Sequence, residues 1–372
     1  MFIFEVGTDA LFQERSRQFT AWGIPPALVE RARNRIRDMW GTGPGTWVDE
    51  WGHLAREADA DGNFLQAAQL WGATRFPSLA APERVVAQRE QIRCYLQAAP
   101  RFPVGFRRRT LPLRTPEGEH ALPVHEFTRR GRRRPGVLVM SGGVDTWKIE
   151  IHRMAVMTAR ATGLKVVTVD MAGTGENPLP LTPHSDLQLH SLVALMREEN
   201  PGEPVLYFGL SFGGHWAVKL ALQGAVDAAV DIGGPTGAAD VPTDPLAMPY
   251  GMAGIVGNAM GLHGMPSAQE ASDLLDGFSL RRQGLLVADG GAPLLAANGD
   301  HDQYVPLADT TELASRRHST VWIVRDATHC ATERFRPLLV GSWGRVRART
   351  GGSRLTSSLL RLPSRSFVTV HS

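Results

Sequence analysis

The sequence predicts an α/β fold: a mostly parallel sheet covered by helices on both faces, preceded by a helical region. Three observations predict it. Beyond residue 105, short and almost wholly apolar runs alternate with helical stretches, which is how strands buried on both faces read. A G-x-S-x-G pentapeptide stands between one such run and a helix. The first hundred residues instead carry apolar positions every three or four residues.

In chain order, Pro26 to Trp40 reads as a helix. Trp47, Trp51, Leu54 and Ala58 form one apolar stripe, and Asp61-Gly62-Asn63 ends it. Phe64, Ala67, Ala68 and Trp71 form a second stripe. Pro82 can open a third helix, with Val85, Val86, Ile92 and Leu96 inside it. These pairs are similar to tetratricopeptide hairpins, but no period repeats, so a solenoid is rejected. Leu111 and Leu113, then Leu122, Val124 and Phe127, alternate around Thr115-Pro116-Glu117-Gly118 and predict an antiparallel hairpin. The run Arg129 to Arg134 reads as a solvated turn.

Six strands follow: Val137–Met140, Val166–Val169, Val205–Phe208, Ala228–Ile232, Leu294–Ala297 and Val321–Val324. About sixty residues rich in Gly, Met and Pro separate the fourth from the fifth. Such a length exceeds an ordinary connection and predicts an excursion over the C-terminal edge of the sheet, where folds of this kind bind ligands. The expected organisation is a helical cap over 1–104, a catalytic domain over 105–350 with a lid-like excursion at about 235–290, and a basic, poorly ordered tail over 351–372.

Charge and cysteines exclude several classes. The chain has 372 residues and a net charge of +3, with 40 basic and 37 acidic side chains. Eight arginines from Arg334 onward face no acid, so the rest of the chain is mildly acidic and no nucleic-acid partner is implied. The basic residues are arginine apart from Lys148, Lys165 and Lys219, a bias that reads as genomic base composition. No apolar run is long enough to span a membrane, and Glu5 and Asp9 argue against a signal peptide. Two cysteines, Cys94 and Cys330, are too few for a disulfide framework or a cysteine metal site, and a cytoplasmic protein with free thiols is expected.

The chemistry is concentrated in three loops. Gly209-Leu210-Ser211-Phe212-Gly213-Gly214 places Ser211 in a tight strand-to-helix turn, at a helix N-terminus that favours developing negative charge. A serine needs a base, and the base needs an acid. Asn298-Gly299-Asp300-His301-Asp302 follows the fifth strand. Asp302 is the preferred acid; Asp300 competes but suits a turn cap. His329 follows the last strand at loop distance and is the preferred base. His152, His190, His215 and His301 read as cap, surface or pocket-lining residues, and Cys330 as a small buried neighbour. The backbone N–H of Phe212 and that of Gly143, in Ser141-Gly142-Gly143-Val144-Asp145, are the expected oxyanion donors. Asp170-Met171-Ala172-Gly173-Thr174-Gly175-Glu176 lacks a nucleotide fingerprint and reads as a structural turn.

These residues resemble the α/β-hydrolase superfamily over roughly 105–350. Trp51, Ala55, Ala58, Gly62, Ala67, Ala68 and Trp71, followed by Gly142-Gly143-Val144-Asp145-Thr146-Trp147-Lys148-Ile149-Glu150, are similar to a narrower group. That group contains 2,6-dihydropseudooxynicotine hydrolase, fungal polyketide-shortening hydrolases and fermentation–respiration switch esterase-like proteins. The resemblance implies a serine hydrolase with a helical N-terminal cap, often a homodimer. It places Ser211, Asp302 and His329 on triad positions, and Gly142, Asp145 and Glu150 where they order the pocket. It also implies cleavage beside a carbonyl, of either a carbon–carbon bond or an ester. No metal or organic cofactor is required. Met in the excursion and aromatic residues in the cap point to a bulky or aromatic carbonyl substrate. Two other readings stay open: a tailoring acyltransferase, cyclase or dehydratase on the same scaffold, and a non-catalytic binding protein.

Overall fold

The computed structural model describes residues 1–131, 135–239, 244–286, 290–350 and 367–370. Five helices come first: α1 (Thr8–Trp22), α2 (Pro26–Arg35), α3 (Trp47–Ala60), α4 (Phe64–Arg75) and α5 (Pro82–Ala98). Next come β1 (Gly105–Thr115), β2 (Gly118–Thr128), β3 (Val137–Ser141), α6 (His152–Thr162), β4 (Lys165–Val169), α7 (Asp186–Glu199), β5 (Val205–Leu210), α8 (Phe212–Leu222) and β6 (Ala228–Ile232). Helices α9 (Met252–Ala259) and α10 (Ala268–Asp276) precede β7 (Leu294–Gly299), α11 (Leu307–Thr311), β8 (Ser319–Val324), α12 (Phe335–Arg349) and β9 (Val368–Val370).

Among the described residues the strands form one nine-stranded sheet in the order β1-β2-β4-β3-β5-β6-β7-β8-β9. The run from β4 to β8 is parallel, and β1, β2 and β9 are antiparallel additions at its edges. β5 lies at the centre, so the residue that leaves its C-terminal end emerges mid-sheet, where an open parallel sheet presents ligands. β3, β5, β6 and β7 are buried almost throughout, which is why they read as continuous apolar runs. The hairpin pairs in full register from Gly105↔Thr128 to Thr115↔Gly118 around Pro116-Glu117.

One side of the sheet packs against the helical cap through α6 and α12; the other packs against α7, α8 and the excursion. Within the cap, Phe12, Phe19, Trp22, Trp47, Trp51 and Phe76 form one aromatic cluster, with Phe12 and Trp47 centroids 5.0 Å apart. Each such pair adds about 0.5–1.5 kcal/mol beyond the area it buries. The extended first residues cross to α9: Phe2 N–H donates to Asn258 Oδ1 at 2.7 Å, and Asn258 Nδ2 donates back to the Phe2 carbonyl at 2.9 Å. Phe4 lies against Gly254, where a Cβ would meet its ring at 2.2 Å.

Several expectations are corrected. The helix starting at Pro26 ends at Arg35, because Asp38 and Thr46 pair in a bridge that turns the chain into α3. Val86 and Leu96 are exposed, and α5 buries Ala87, Gln91, Cys94, Tyr95 and Ala98 instead. The end of the chain is not all tail: Val368–Val370 pair with Val321–Ile323 and cover the edge of β8. Arg132–Arg134 and the tail residues 351–366, 371 and 372 lie outside the described residues. Among those described, no helix is long and apolar enough to cross a membrane.

A buried histidine pair links α5, β2 and α6. His125 stacks on Tyr95 with centroids 5.0 Å apart, and the Tyr95 hydroxyl meets His152 Nδ1 at 2.8 Å. Burial pushes His125 well below the ordinary histidine value; burial, with Arg153 nearby, pushes His152 down to about 4. Both are therefore neutral when folded, while the unfolded chain takes up their protons below about pH 6.5. Stability is complete above that value and falls as pH drops through 6.5 toward 4. Melting temperature measured over this window should fall in the wild type, and His125→Phe should flatten the slope.

Candidate active site

Ser211 leaves β5 with φ 53° and ψ −127°, a left-handed conformation that costs a non-glycine residue about 1–3 kcal/mol. The surrounding backbone holds it there: Ser211 N–H donates to the Ile232 carbonyl at 2.8 Å, and Gly214 N–H to the Ser211 carbonyl at 2.7 Å. The flanking glycines are required by close approach. A Cβ on Gly209 would lie 1.9 Å from the Gly213 carbonyl oxygen, and one on Gly213 would lie 2.4 Å from that of Gly142.

Two further loops converge on this serine. His329 Nε2 lies 2.9 Å from Ser211 Oγ, and His329 Nδ1 lies 2.7 Å from Asp302 Oδ2. Asp302 is fixed in turn: its Oδ1 accepts from Tyr304 N–H at 2.7 Å and Val305 N–H at 3.0 Å, and its Oδ2 from Asn298 Nδ2 at 2.7 Å. Asp300 instead meets the Ala327 N–H across the loop. The turn after His329 is strained, with Cys330 and Ala331 at φ 59° and 49°. The Cys330 thiol is buried and donates to the Ile232 carbonyl at 3.2 Å.

Electrostatics follow from this packing. Burial alone would raise Asp302, but the His329 charge and the donated hydrogen bonds outweigh it and hold the carboxyl below its usual range. Burial opposes charge on His329, while Cys330 and Asp302 outweigh it and raise the imidazole well above its ordinary value.

The loop before Ser211 is held from the cap. Gly143 packs on the serine: a Cβ there would lie 2.8 Å from Ser211 Cβ and 3.0 Å from Oγ. Gly142 cannot carry a side chain, because its Cβ would lie 1.9 Å from the Thr146 carbonyl oxygen. Phe212 opens α8 beside them. Asp145 and Glu150 do not reach the cavity. Asp145 pairs with Arg15 of α1 at 3.2 Å, and Glu150 with Arg75 of α4 at 2.9 Å, all nearly without solvent. Arg75 also donates to the Asp145 carbonyl at 3.0 Å and lies 3.4 Å from the Trp147 ring centroid. Gln18 donates to Thr146 and Gln91 to Glu150, each at 2.6 Å. From the other side Lys148 contacts Asp170 and Glu176. The turn Asp170–Glu176 therefore buttresses this loop. Sequence reasoning missed Arg15, Gln18, Arg75 and Gln91, whose only sequence signal is a polar residue on a helix in an otherwise apolar cap.

Ser211 and His329 open into a cavity of about 280 Å³. Its other walls are Val144, Phe212 and Tyr304 together with the excursion, including Met248, Met252, Leu275 and Phe278. The cap aromatics pack on one another and do not line it, so they carry no information on the substrate. The excursion is anchored by Asp309, whose carboxylate accepts from the N–H groups of Thr236, Gly237 and Ala239. His215 stands behind Phe212, bonded to the Pro235 carbonyl. Among the described residues, Asp59, Glu90 and Cys94 form a cluster with metal-like spacing. Arg93 already contacts all three, and burial raises the Cys94 thiol to about 12, which keeps it protonated and a poor ligand.

The family described as "Esterase FrsA-like" matches residues 30–321. The chain is 26% identical to Esterase FrsA of Enterobacter sp. (strain 638), over 73% of this chain and 69% of that one. It is 28% identical to Esterase FrsA of Salmonella typhi, over 70% and 67%. Among solved structures, AbyA5 superposes with a TM-score of 0.78 at 21% identity, covering 95% of this chain and 98% of that one. The 2,6-dihydroxy-pseudo-oxynicotine hydrolase superposes at 0.65 and 19%, covering 95% of each. These two likenesses establish the α/β-hydrolase fold.

The buried pair predicts a double-mutant result. Arg75→Met leaves Glu150 uncompensated and should cost about 3–5 kcal/mol in guanidinium unfolding. Arg75→Met combined with Glu150→Gln should recover most of that loss.

Proposed function

The chain belongs to the FrsA-like esterase family, and from that premise we propose that it hydrolyses carboxylic esters through Ser211, His329 and Asp302. One observation carries the reading: an unbroken hydrogen-bonded chain from Asp302 through His329 to Ser211, opening on a mostly apolar cavity.

In this mechanism His329 Nε2 takes the Ser211 hydroxyl proton as Oγ attacks the ester carbonyl carbon. The carbonyl oxygen becomes an oxyanion and accepts from the N–H groups of Gly143 and Phe212. Asp302 orients the ring and stabilises the imidazolium. The tetrahedral adduct collapses, and the alkoxide leaves with the proton from His329. Water then attacks the acyl-serine, gives its proton to His329, and the acid departs as Ser211 recovers its hydrogen. Strain at Ser211 keeps Oγ at the head of α8, where the helix N-terminus supports the oxyanion.

Ser211→Ala should lower kcat by about 10³-fold or more without loss of fold, as read by ester hydrolysis and circular dichroism. A serine-directed fluorophosphonate should label the wild type at Ser211. Wild-type rates in Ser211→Ala would end this reading. In ¹⁸O water, one labelled oxygen should enter the acid product; an unlabelled product would point to acyl transfer.

The rate should also report the proton on His329. Only the neutral ring accepts the serine proton, so kcat/KM should rise with pH as the imidazolium ionises. Asp302 raises this ionisation, and the midpoint should lie above about pH 6.5, the ordinary histidine value. Asp302→Asn should lower both the midpoint and the plateau in a pH–rate profile.

A further inference from the structure

Beside the catalytic cavity lies a second, smaller one of about 30 Å³ between α9 and α10. The two share four walls: Pro245, Met248, Val256 and Leu275. Among the described residues, every wall of the smaller one is apolar or glycine. It runs outward to Leu274, an exposed side chain on α10. The partition between the two is thus made only of aliphatic and thioether side chains, including an adaptable methionine.

Polar groups in the catalytic cavity lie elsewhere on its wall. Ser272, Asp276, Ser279 and Arg282 line it from α10 and the turn after it, and Asp276 and Arg282 contact each other. A substrate seated at Ser211 therefore meets both the apolar partition and the polar residues of α10 and its following turn.

Resting on the ester-hydrolase reading above, we propose that the groove between α9 and α10 takes the aliphatic chain of the acyl group, so that the enzyme prefers esters of unbranched medium-chain acids. Its occupant is an aliphatic chain because the walls are apolar and the groove between the two helices is narrow. A chain crossing the partition displaces Met248 and removes its own methylenes from water, each worth about 0.8 kcal/mol when fully buried. An acetyl group has no methylene to place in the groove.

The test compares kcat/KM for p-nitrophenyl acetate, butyrate, octanoate and laurate on the full chain. Octanoate should exceed acetate by about tenfold or more, the scale set by a few methylenes in an apolar pocket. Ala253→Trp fills the groove and should cut the octanoate-to-acetate ratio about tenfold. Leu274→Gln, at the exposed rim where the fold cannot suffer, should cut it by a smaller factor. A flat series in the wild type, or a ratio unmoved by both variants, overturns the groove while leaving the hydrolase reading intact. If no p-nitrophenyl ester is turned over, that reading falls by itself. The groove is then decided by calorimetry on Ser211→Ala: methyl octanoate should bind at least tenfold tighter than methyl acetate, and equal binding refutes it.

Discussion

Three arginines of the cap, Arg15, Arg75 and Arg84, lie nearly without solvent, and two of them pair with carboxylates beyond the cap. Arg15 and Arg75 meet Asp145 and Glu150 on the loop that precedes the nucleophile, and Trp147 covers the guanidinium of Arg75. Removing either partner would leave a buried charge uncompensated, so neither side of the contact can relax alone. The position of Gly143 beside Ser211 depends on this, because Gly143 is two residues from Asp145. The cap thus acts on the reaction centre from behind. It sets the loop beside Ser211 without contributing a wall to the cavity.

α1 extends that influence to Asp302 and His329. Glu14 accepts from Tyr304 at 3.2 Å and also contacts Gln303, while Gln303 Oε1 accepts from His329 N–H at 3.3 Å. The Tyr304 ring meets that of His329 edge to face at 5.1 Å. One helix therefore ties the loop before Ser211 to the loops after β7 and β8. Strain at Ser211, Cys330 and Ala331 is sustained within this frame: Ser211 N–H donates to the Ile232 carbonyl at the end of β6, Cys330 N–H to Asn298 Oδ1 of β7, and Ala331 N–H to the Thr328 carbonyl.

The parallel strands were legible because burial on both faces leaves unmixed apolar runs, as at Val137–Ser141 and Val205–Leu210. Ser211, Asp302 and His329 were legible because each follows such a run at turn distance. β9 was not: three residues, Val368–Val370, give no periodicity of their own and are fixed by the edge of β8. Arg15 and Arg75 were not either, since a buried arginine and an exposed one look alike among so many. Asp145 and Glu150 were noticed in their loop but their direction was not, because that depends on cap residues far back in the chain. The aromatic cap misled for the same reason. Trp47 and Trp51 pack on Phe12 and Phe19, and the cavity is built by the glycine- and methionine-rich excursion.

The order of these partners along the chain bears on how the protein is made. Arg15, Gln18, Arg75 and Gln91 are all translated before Asp145 and Glu150, so the docking surface can be waiting when the loop leaves the ribosome. Asp302 and His329 arrive last, after the serine and the strands that support it. Vectorial synthesis would then complete the loop beside Ser211 first and bring Asp302 and His329 to it only near the end. A nascent chain halted before β7 carries Ser211 in its elbow with neither Asp302 nor His329 beside it, and under the proposed mechanism it is chemically silent until the final strands are in place.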